Sequence, residues 1–275
     1  MIAARRSLVT STATGFAVAF LWLPIALVVL FSFHSTGSLA FPFRGVSLRW
    51  YRTVFGSDEI RQAAINSIII ASTTTMVTMV LGTLAAWALS RTKSRWRGVL
   101  AVLFFVPLTL PGLFIGISLL VFFRETQVTL SMGTVAIAHL VYVLPYYLLI
   151  ARAALDRLDP MLEEVAADLG ASRWQTFTKV TLPQVWPVLV GASLLAFALS
   201  FDEFIITFFV IGPDSTLPMY IFSQLRRTVD PQINAIATLL LASVFGLFAL
   251  TYLLTRRVTR YSRRSLIGDL IGGSA

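Results

Sequence analysis

The stretch Asp159-Pro160-Met161-Leu162-Glu163-Glu164-Val165-Ala166-Ala167-Asp168-Leu169-Gly170-Ala171-Ser172-Arg173-Trp174-Gln175-Thr176-Phe177-Thr178-Lys179-Val180-Thr181-Leu182-Pro183 is a polar hairpin set between two long apolar runs. Asp159 suits a helix N-cap, Pro160 suits the first helical position, and the acids that follow favour the positive end of the helix dipole. Val165, Ala166 and Leu169 recur at helical spacing and make a small apolar face. Gly170 stops that helix, as glycine does just past a C-terminus. Ser172 caps a second short helix, and Pro183 marks the start of the next apolar run. Counted from Leu155, the hairpin holds five of the 13 acidic residues.

Working outward, six segments are apolar for about the 20 residues that a bilayer-crossing helix needs. They are Thr14–Phe33, Ala63–Ser90, Val99–Phe123, Met132–Ala151, Gln184–Ile211 and Asn234–Thr255. The hydrophobic share is 57% and the charged share 13%, against about 45–50% and 25% in soluble domains. One soluble core of this size cannot bury so much apolar surface, so lipid is the solvent. The ten-residue alternation of a transmembrane barrel is absent. The first apolar run exceeds the roughly 7–15 residues of a secretory signal and reads as a retained helix. The expectation is an all-α integral membrane protein with six transmembrane helices in one domain over 1–275, carrying a hairpin over 152–183.

The 22 Lys and Arg residues orient it. With the N-terminus inside, the N-terminus, Arg91–Gly98, Arg152–Pro183 and the C-terminal tail hold 15 of them, and the outside loops hold seven. This two-to-one bias places both termini in the cytoplasm. The net charge of +9 then reads as topology and lipid contact, not nucleic-acid binding. The first outside loop, His34–Gln62, is long enough for an interfacial helix. Leu217–Arg227 reads as a short helix at an outer mouth, and Asp230-Pro231 as the start of the last span. With no Cys and only His34 and His139, disulfides, thiolate metal sites and histidine-rich metal sites are excluded, and no metal is expected.

The hairpin resembles the cytoplasmic signature of binding-protein-dependent ABC importer permeases: Glu-Ala-Ala, three residues, Gly, nine residues, an aliphatic residue, any residue, Leu-Pro. Here Glu164-Val165-Ala166, Gly170, Val180 and Leu182-Pro183 fill those positions, with Val165 in place of the usual Ala. The resemblance implies the type I importer permease architecture, in the bacterial inner membrane. It implies that this segment couples to a separate ATP-binding subunit, present in two copies, with ATP and Mg bound there and no cofactor on this chain. Arg173, Trp174 and Phe177 are candidate anchors for that contact, since Trp and Arg dominate many interfaces.

Asp202 and Glu203 fall inside the fifth apolar segment, where a charge costs about 2.5–3.5 kcal/mol and marks a pathway or site. No Lys or Arg lies within a membrane segment to pair with them, which points to a cationic ligand or to a partner subunit. On a continuous helix Ser193, Ala196, Ser200, Glu203 and Thr207 share one face, which could line a wet cavity. The bland alternatives are that an acid is protonated or caps a broken helix. Tyr142 and Tyr146 share a face with His139; their rings could hold ammonium groups or simply pack. Pro107, Pro111, Gly112 and Gly116 interrupt the third segment. The run Ser200–Phe209 with Gly212-Pro213, Leu217-Pro218 and Asn234–Thr238 resembles the spermidine/putrescine branch of the family. That implies the second of two homologous permeases in a polyamine importer, fed by a periplasmic binding protein. Other amines and amino-acid-like or opine-like solutes stay open as cargo, as does which acid faces it.

Neither Lys93 nor Lys179 follows a glycine, so there is no phosphate-binding G-x-x-x-x-G-K-[ST] loop; the chain is expected to be a transport subunit and not an enzyme. The alternative from another class is an intramembrane serine hydrolase using Ser118 or Ser193 with His139 as base. Neither serine sits in a G-x-S-x-G elbow.

Overall fold

The computed structural model describes residues 2–37, 42–43, 45–92, 95–227 and 230–246, with side chains from residue 12 onward. The described chain is helical apart from a single bridge, His34 to Val46. Two compact units are present: Asp58–Ser223, and a unit drawn from both ends of the chain, Met1–Ser57 with Gln224–Ala275.

The Asp58–Ser223 unit is built on three long helices: α3 (Asp58–Arg91), α6 (Met132–Leu155) and α9 (Leu182–Asp202). Residues of α3 at steps of three or four are buried, among them Ala63, Ser67, Ala71, Thr74, Thr78, Gly82 and Ala86. Small residues at this spacing let helix backbones approach, which is how helices associate where lipid removes the hydrophobic drive between them. Gly82 is the tightest case. A Cβ there would lie 2.5 Å from Cδ1 of Tyr147, whose hydroxyl lies 2.8 Å from Thr83 Oγ1. Two buried apolar clusters result. One joins Ala86, Leu89, Tyr147, Leu148, Leu155, Val185 and Leu189. The other joins Ile70, Ile115, Phe123, Val135, Ala138, Ile206 and Val210.

The third apolar segment is not the single span Val99–Phe123. It is two helices, α4 (Arg97–Thr109) and α5 (Gly112–Glu125), bent by 107°. Pro107 is tolerated inside α4. The break falls at Leu110 and Pro111, both extended, because proline lacks the N–H and forces its predecessor out of the helical region. The fifth segment, expected over Gln184–Ile211, is also broken: α9 ends at Asp202 and α10 resumes at Ile205–Val210. Among the described residues four helices are long and apolar enough to cross a bilayer, five if the bent pair counts as one.

The unit drawn from the chain ends contains α1 (Ile2–Ser32), α2 (Arg49–Gly56) and, after the short helix α11 (Leu217–Arg227) that the sequence predicts, α12 (Pro231–Gly246). The Trp50 indole donates to the His34 carbonyl at 2.7 Å and roots α2 on the end of α1. Asp230 Oδ1 accepts from the Gln232 N–H at 2.9 Å, capping α12. The expected last segment, Asn234–Thr255, continues outside the described residues, as does the C-terminal tail.

Candidate functional site: a polar hairpin and a broken helix

The hairpin begins with α7 (Pro160–Asp168). Asp159 Oδ1 accepts from the Met161 N–H at 3.0 Å. The helix ends in a paired turn: the Gly170 N–H donates to Ala167 O at 2.9 Å and the Ala171 N–H to Ala166 O at 3.0 Å. Gly170 has φ +85°, left-handed backbone that glycine adopts without strain. Ser172 and Gln175 then cap each other reciprocally at the start of α8 (Arg173–Thr176). The second helix does not end before the membrane segment. It passes through a π turn, Phe177–Thr181, straight into α9. The Leu182 N–H reaches the Phe177 carbonyl five residues back, a widening of the kind that accommodates the following Pro183, whose ring cannot fit a regular turn.

The residues of the predicted coupling set take different places. Glu164, Val165, Gly170, Arg173, Trp174 and Pro183 are exposed, Ala166 and Leu182 are half-buried, and Phe177 is buried. Phe177 packs against Trp87 at 4.4 Å between ring centres, with the rings tilted by 30°, and against Trp174 at 5.5 Å. Of these aromatics only Trp174 stands free for a partner. Met161, Leu162, Val165 and Leu169 complete an exposed apolar surface on α7. Glu163, which the sequence reading passed over beside Glu164, makes the strongest local contacts. Its carboxylate takes two hydrogen bonds from Arg91, at 2.7 and 2.9 Å, and one from Thr181 Oγ1 at 2.7 Å. Burial pushes the Glu163 carboxyl up, but the Arg91 and Thr181 hydrogen bonds and the Arg91 charge outweigh it and hold the group below the ordinary glutamate range.

The broken helix carries the second cluster. Glu203 closes α9 in an extended conformation and turns its side chain back, so that Oε1 accepts from the Ile206 N–H at 2.9 Å. It therefore caps a helix break, the role that sequence reasoning set beside a pathway role, and remains half-buried next to the exposed Asp202. The expectation that Ser200 and Thr207 line a wet cavity with Glu203 does not hold in this structure. The chain leaves the helical path at Glu203, so the three-and-four spacing does not carry across. Ser200 and Thr207 are both buried and bracket His139, whose Nδ1 lies 2.8 Å from Ser200 Oγ and whose Nε2 lies 2.8 Å from Thr207 Oγ1. Thr207 Oγ1 also donates to the Glu203 carbonyl at 2.9 Å. His139 thus spans the break that its sequence position, some sixty residues away, gave no hint of.

Tyr142 and Tyr146 stay half-buried, edge to face at 5.5 Å, with Tyr142 within electrostatic reach of Glu203 and Asp202. Gly112, at the start of α5, lies beside the Glu203 carboxylate: a Cβ there would sit in ordinary contact, 4.0 Å from Oε1. Two acids, the paired tyrosines and the starts of α5 and α10 therefore lie near one another, and Tyr142 packs against both apolar clusters. This arrangement can neutralise and orient a cation. Among the described residues no three His, Asp or Glu side chains are placed to hold a metal ion.

The family model described as "Binding-protein-dependent transport system inner membrane component" matches residues 78–264. The putrescine transport system permease protein PotI of Escherichia coli (strain K12) is 37% identical over 234 residues, covering 82% of this chain and 83% of that one. The spermidine/putrescine transport system permease protein PotC of Haemophilus influenzae is 32% identical over 240 residues, covering 87% and 93%. A solved bacterial alginate ABC transporter, in complex with alginate pentasaccharide-bound periplasmic protein, contains a chain that superposes with a TM-score of 0.71 at 17% identity, covering 93% and 96%.

Proposed function

The chain belongs to the binding-protein-dependent transport system inner membrane components, and from that membership we propose that it is one of two homologous permeases in an ATP-driven polyamine importer. It is a multi-pass membrane transport subunit. The reading adds that a periplasmic binding protein delivers the solute and that two ATP-binding subunits, holding ATP and Mg, drive the cycle from the cytoplasm, where both termini lie. The exposed apolar surface of α7, with Glu164, Arg173 and Trp174 beside it, is the docking face for the ATP-binding subunit, since a short helix with an exposed apolar face suits a groove. ATP-driven closure of the two subunits moves these hairpins together and opens the outer side; hydrolysis resets them.

The single observation that carries the cargo assignment is the pair Asp202 and Glu203 at the helix break, with Tyr142 within electrostatic reach and the Tyr146 ring against it. A polyamine carries several ammonium groups at neutral pH. Each can exchange water for a carboxylate or an aromatic face, and the acids then cost less at membrane depth than they would unpaired. The relatives named for putrescine and spermidine/putrescine transport support the same class.

The test is uptake by Glu203→Gln in the reconstituted complex. Glutamine keeps an oxygen to accept from the Ile206 N–H, so the α10 cap survives while the charge is lost. Loss of a charge-assisted contact worth about 1.5–3 kcal/mol predicts a fall of roughly 10–150-fold in putrescine or spermidine transport efficiency, with assembly intact. Unchanged uptake kinetics would remove Glu203 from the pathway.

A further inference from the structure

We infer that Arg91, Glu163 and Thr181 form a positioning clamp that ties the motion of the hairpin to the membrane helices. The inference rests on the reading of α7 as the docking segment. Four elements meet through one carboxylate and its arginine partner. Arg91 is the last residue of α3 and meets Glu163 through two parallel hydrogen bonds, 2.7 and 2.9 Å long. Its Nη2 also reaches the Leu155 carbonyl, the last of α6, at 3.4 Å. Thr181, in the π turn that leads into α9, donates at 2.7 Å. Glu163 itself stands in the first turn of α7.

What makes this cluster mechanical is how little else holds α7. None of the nine residues of α7 is buried, so its packing contributes little restraint. A cleft of about 490 Å³ lies between α7 and the neighbouring helices, lined by Trp87, Arg91, Glu163, Ala167, Arg173 and Phe177. A helix over a cleft can tilt unless something fixes it. A forked arginine–carboxylate pair fixes angle as well as distance, and this one is only about a quarter exposed. A pull on the outer face of α7 is therefore transmitted through Glu163 to α3, α6 and α9 together. Without the clamp, α7 can follow its partner while the membrane helices stay behind. The docking glutamate, Glu164, and the clamp glutamate, Glu163, are thus adjacent residues with separate tasks.

The test uses the full chain, which has no native cysteine, so an introduced pair carries the only labels. Spin labels at Leu169→Cys on the α7 end and Leu84→Cys on α3 report the inter-label distance distribution in nanodiscs, with or without partners. Alongside, ATP hydrolysed per solute imported is measured in the reconstituted complex. The clamp predicts that Glu163→Gln broadens the distribution. It also predicts that ATP used per solute rises by roughly 2–30-fold, the range for changes along a coupling route, while complex recovery and ATP hydrolysis persist. The exchanged pair Glu163→Arg with Arg91→Glu should narrow the distribution again and restore part of the stoichiometry; a merely structural loss would lower both activities together without such rescue. A Glu163→Gln protein with wild-type distribution width overturns the clamp, as does unchanged stoichiometry. Failure of the wild-type chain to recover any ATP-binding subunit would instead strike the importer reading, and the distance comparison in the isolated chain still decides the clamp.

Discussion

Replacing Gly82 by alanine adds one methyl group at the tightest point between α3 and α6. That Cβ would stand 2.5 Å from Tyr147 Cδ1, 3.0 Å from Cε1 and 3.3 Å from Leu144 Cδ1. Tyr147 cannot swing aside cheaply: it is 1% exposed and its hydroxyl is bonded to Thr83. Overpacking of this kind costs about 1–3 kcal/mol, and losing the interhelical hydrogen bond adds about 0.6 kcal/mol. The better helix propensity of alanine returns up to about 1 kcal/mol. The net expectation is a destabilisation of roughly 1–3 kcal/mol. Gly191 on α9 is the matched control. Nothing lies within 4 Å of a Cβ there, so Gly191→Ala should be neutral or stabilising by up to about 1 kcal/mol. Unfolding in mixed micelles by a denaturing detergent, followed by tryptophan fluorescence, reads both. The double variant Gly82→Ala/Tyr147→Leu should cost less than the two single changes summed, since the second relieves the clash made by the first. Equal stability of Gly82→Ala and Gly191→Ala would refute the packing argument.

Three further outcomes follow from the same contacts. His139→Ala removes the partner of both Ser200 and Thr207 and opens a cavity, and should cost about 2–4 kcal/mol, against about 1 kcal/mol or less for Ser200→Ala, in the same titration. Gly170→Ala must adopt φ +85° with a side chain; the cost of about 1–2 kcal/mol falls on the hairpin, so hydrogen exchange should quicken over 160–171 and not in α3 or α6. Because Glu163 is held below its ordinary value of 4.5 in the folded chain, its contribution is fully present above that value and is lost as pH falls through the lower folded value. The gap in melting temperature between wild type and Glu163→Gln should therefore be constant near neutrality and close on acidification below 4.5.

Local chemistry made much of this molecule legible in the sequence. Asp159-Pro160, Gly170 and Ser172 each announce a cap or a stop through their own backbone preferences, and the apolar runs announce lipid by length alone. Pro111 announces a break but not an angle of 107°, which depends on what α4 and α5 pack against. The break after Asp202 had no such marker, because the following Phe204–Phe209 run reads as uninterrupted apolar helix; only the two acids hinted at it. The contacts that decide both sites are long-range. Arg91 with Glu163, and His139 with Ser200 and Thr207, join residues more than sixty positions apart. The signature directed attention to Glu164, while the choice between Glu163 and Glu164 as the inward residue depends on how α7 is rotated against α3.

Gentle purification of the chain with whatever accompanies it allows ATP hydrolysis by that assembly to be measured with added putrescine or spermidine and the periplasmic binding protein. A polyamine importer gives recovery of an ATP-binding subunit and a second permease, with hydrolysis that rises with the polyamine and loses that response in Glu203→Gln. Recovery of the ATP-binding subunit with hydrolysis indifferent to every polyamine would contradict it.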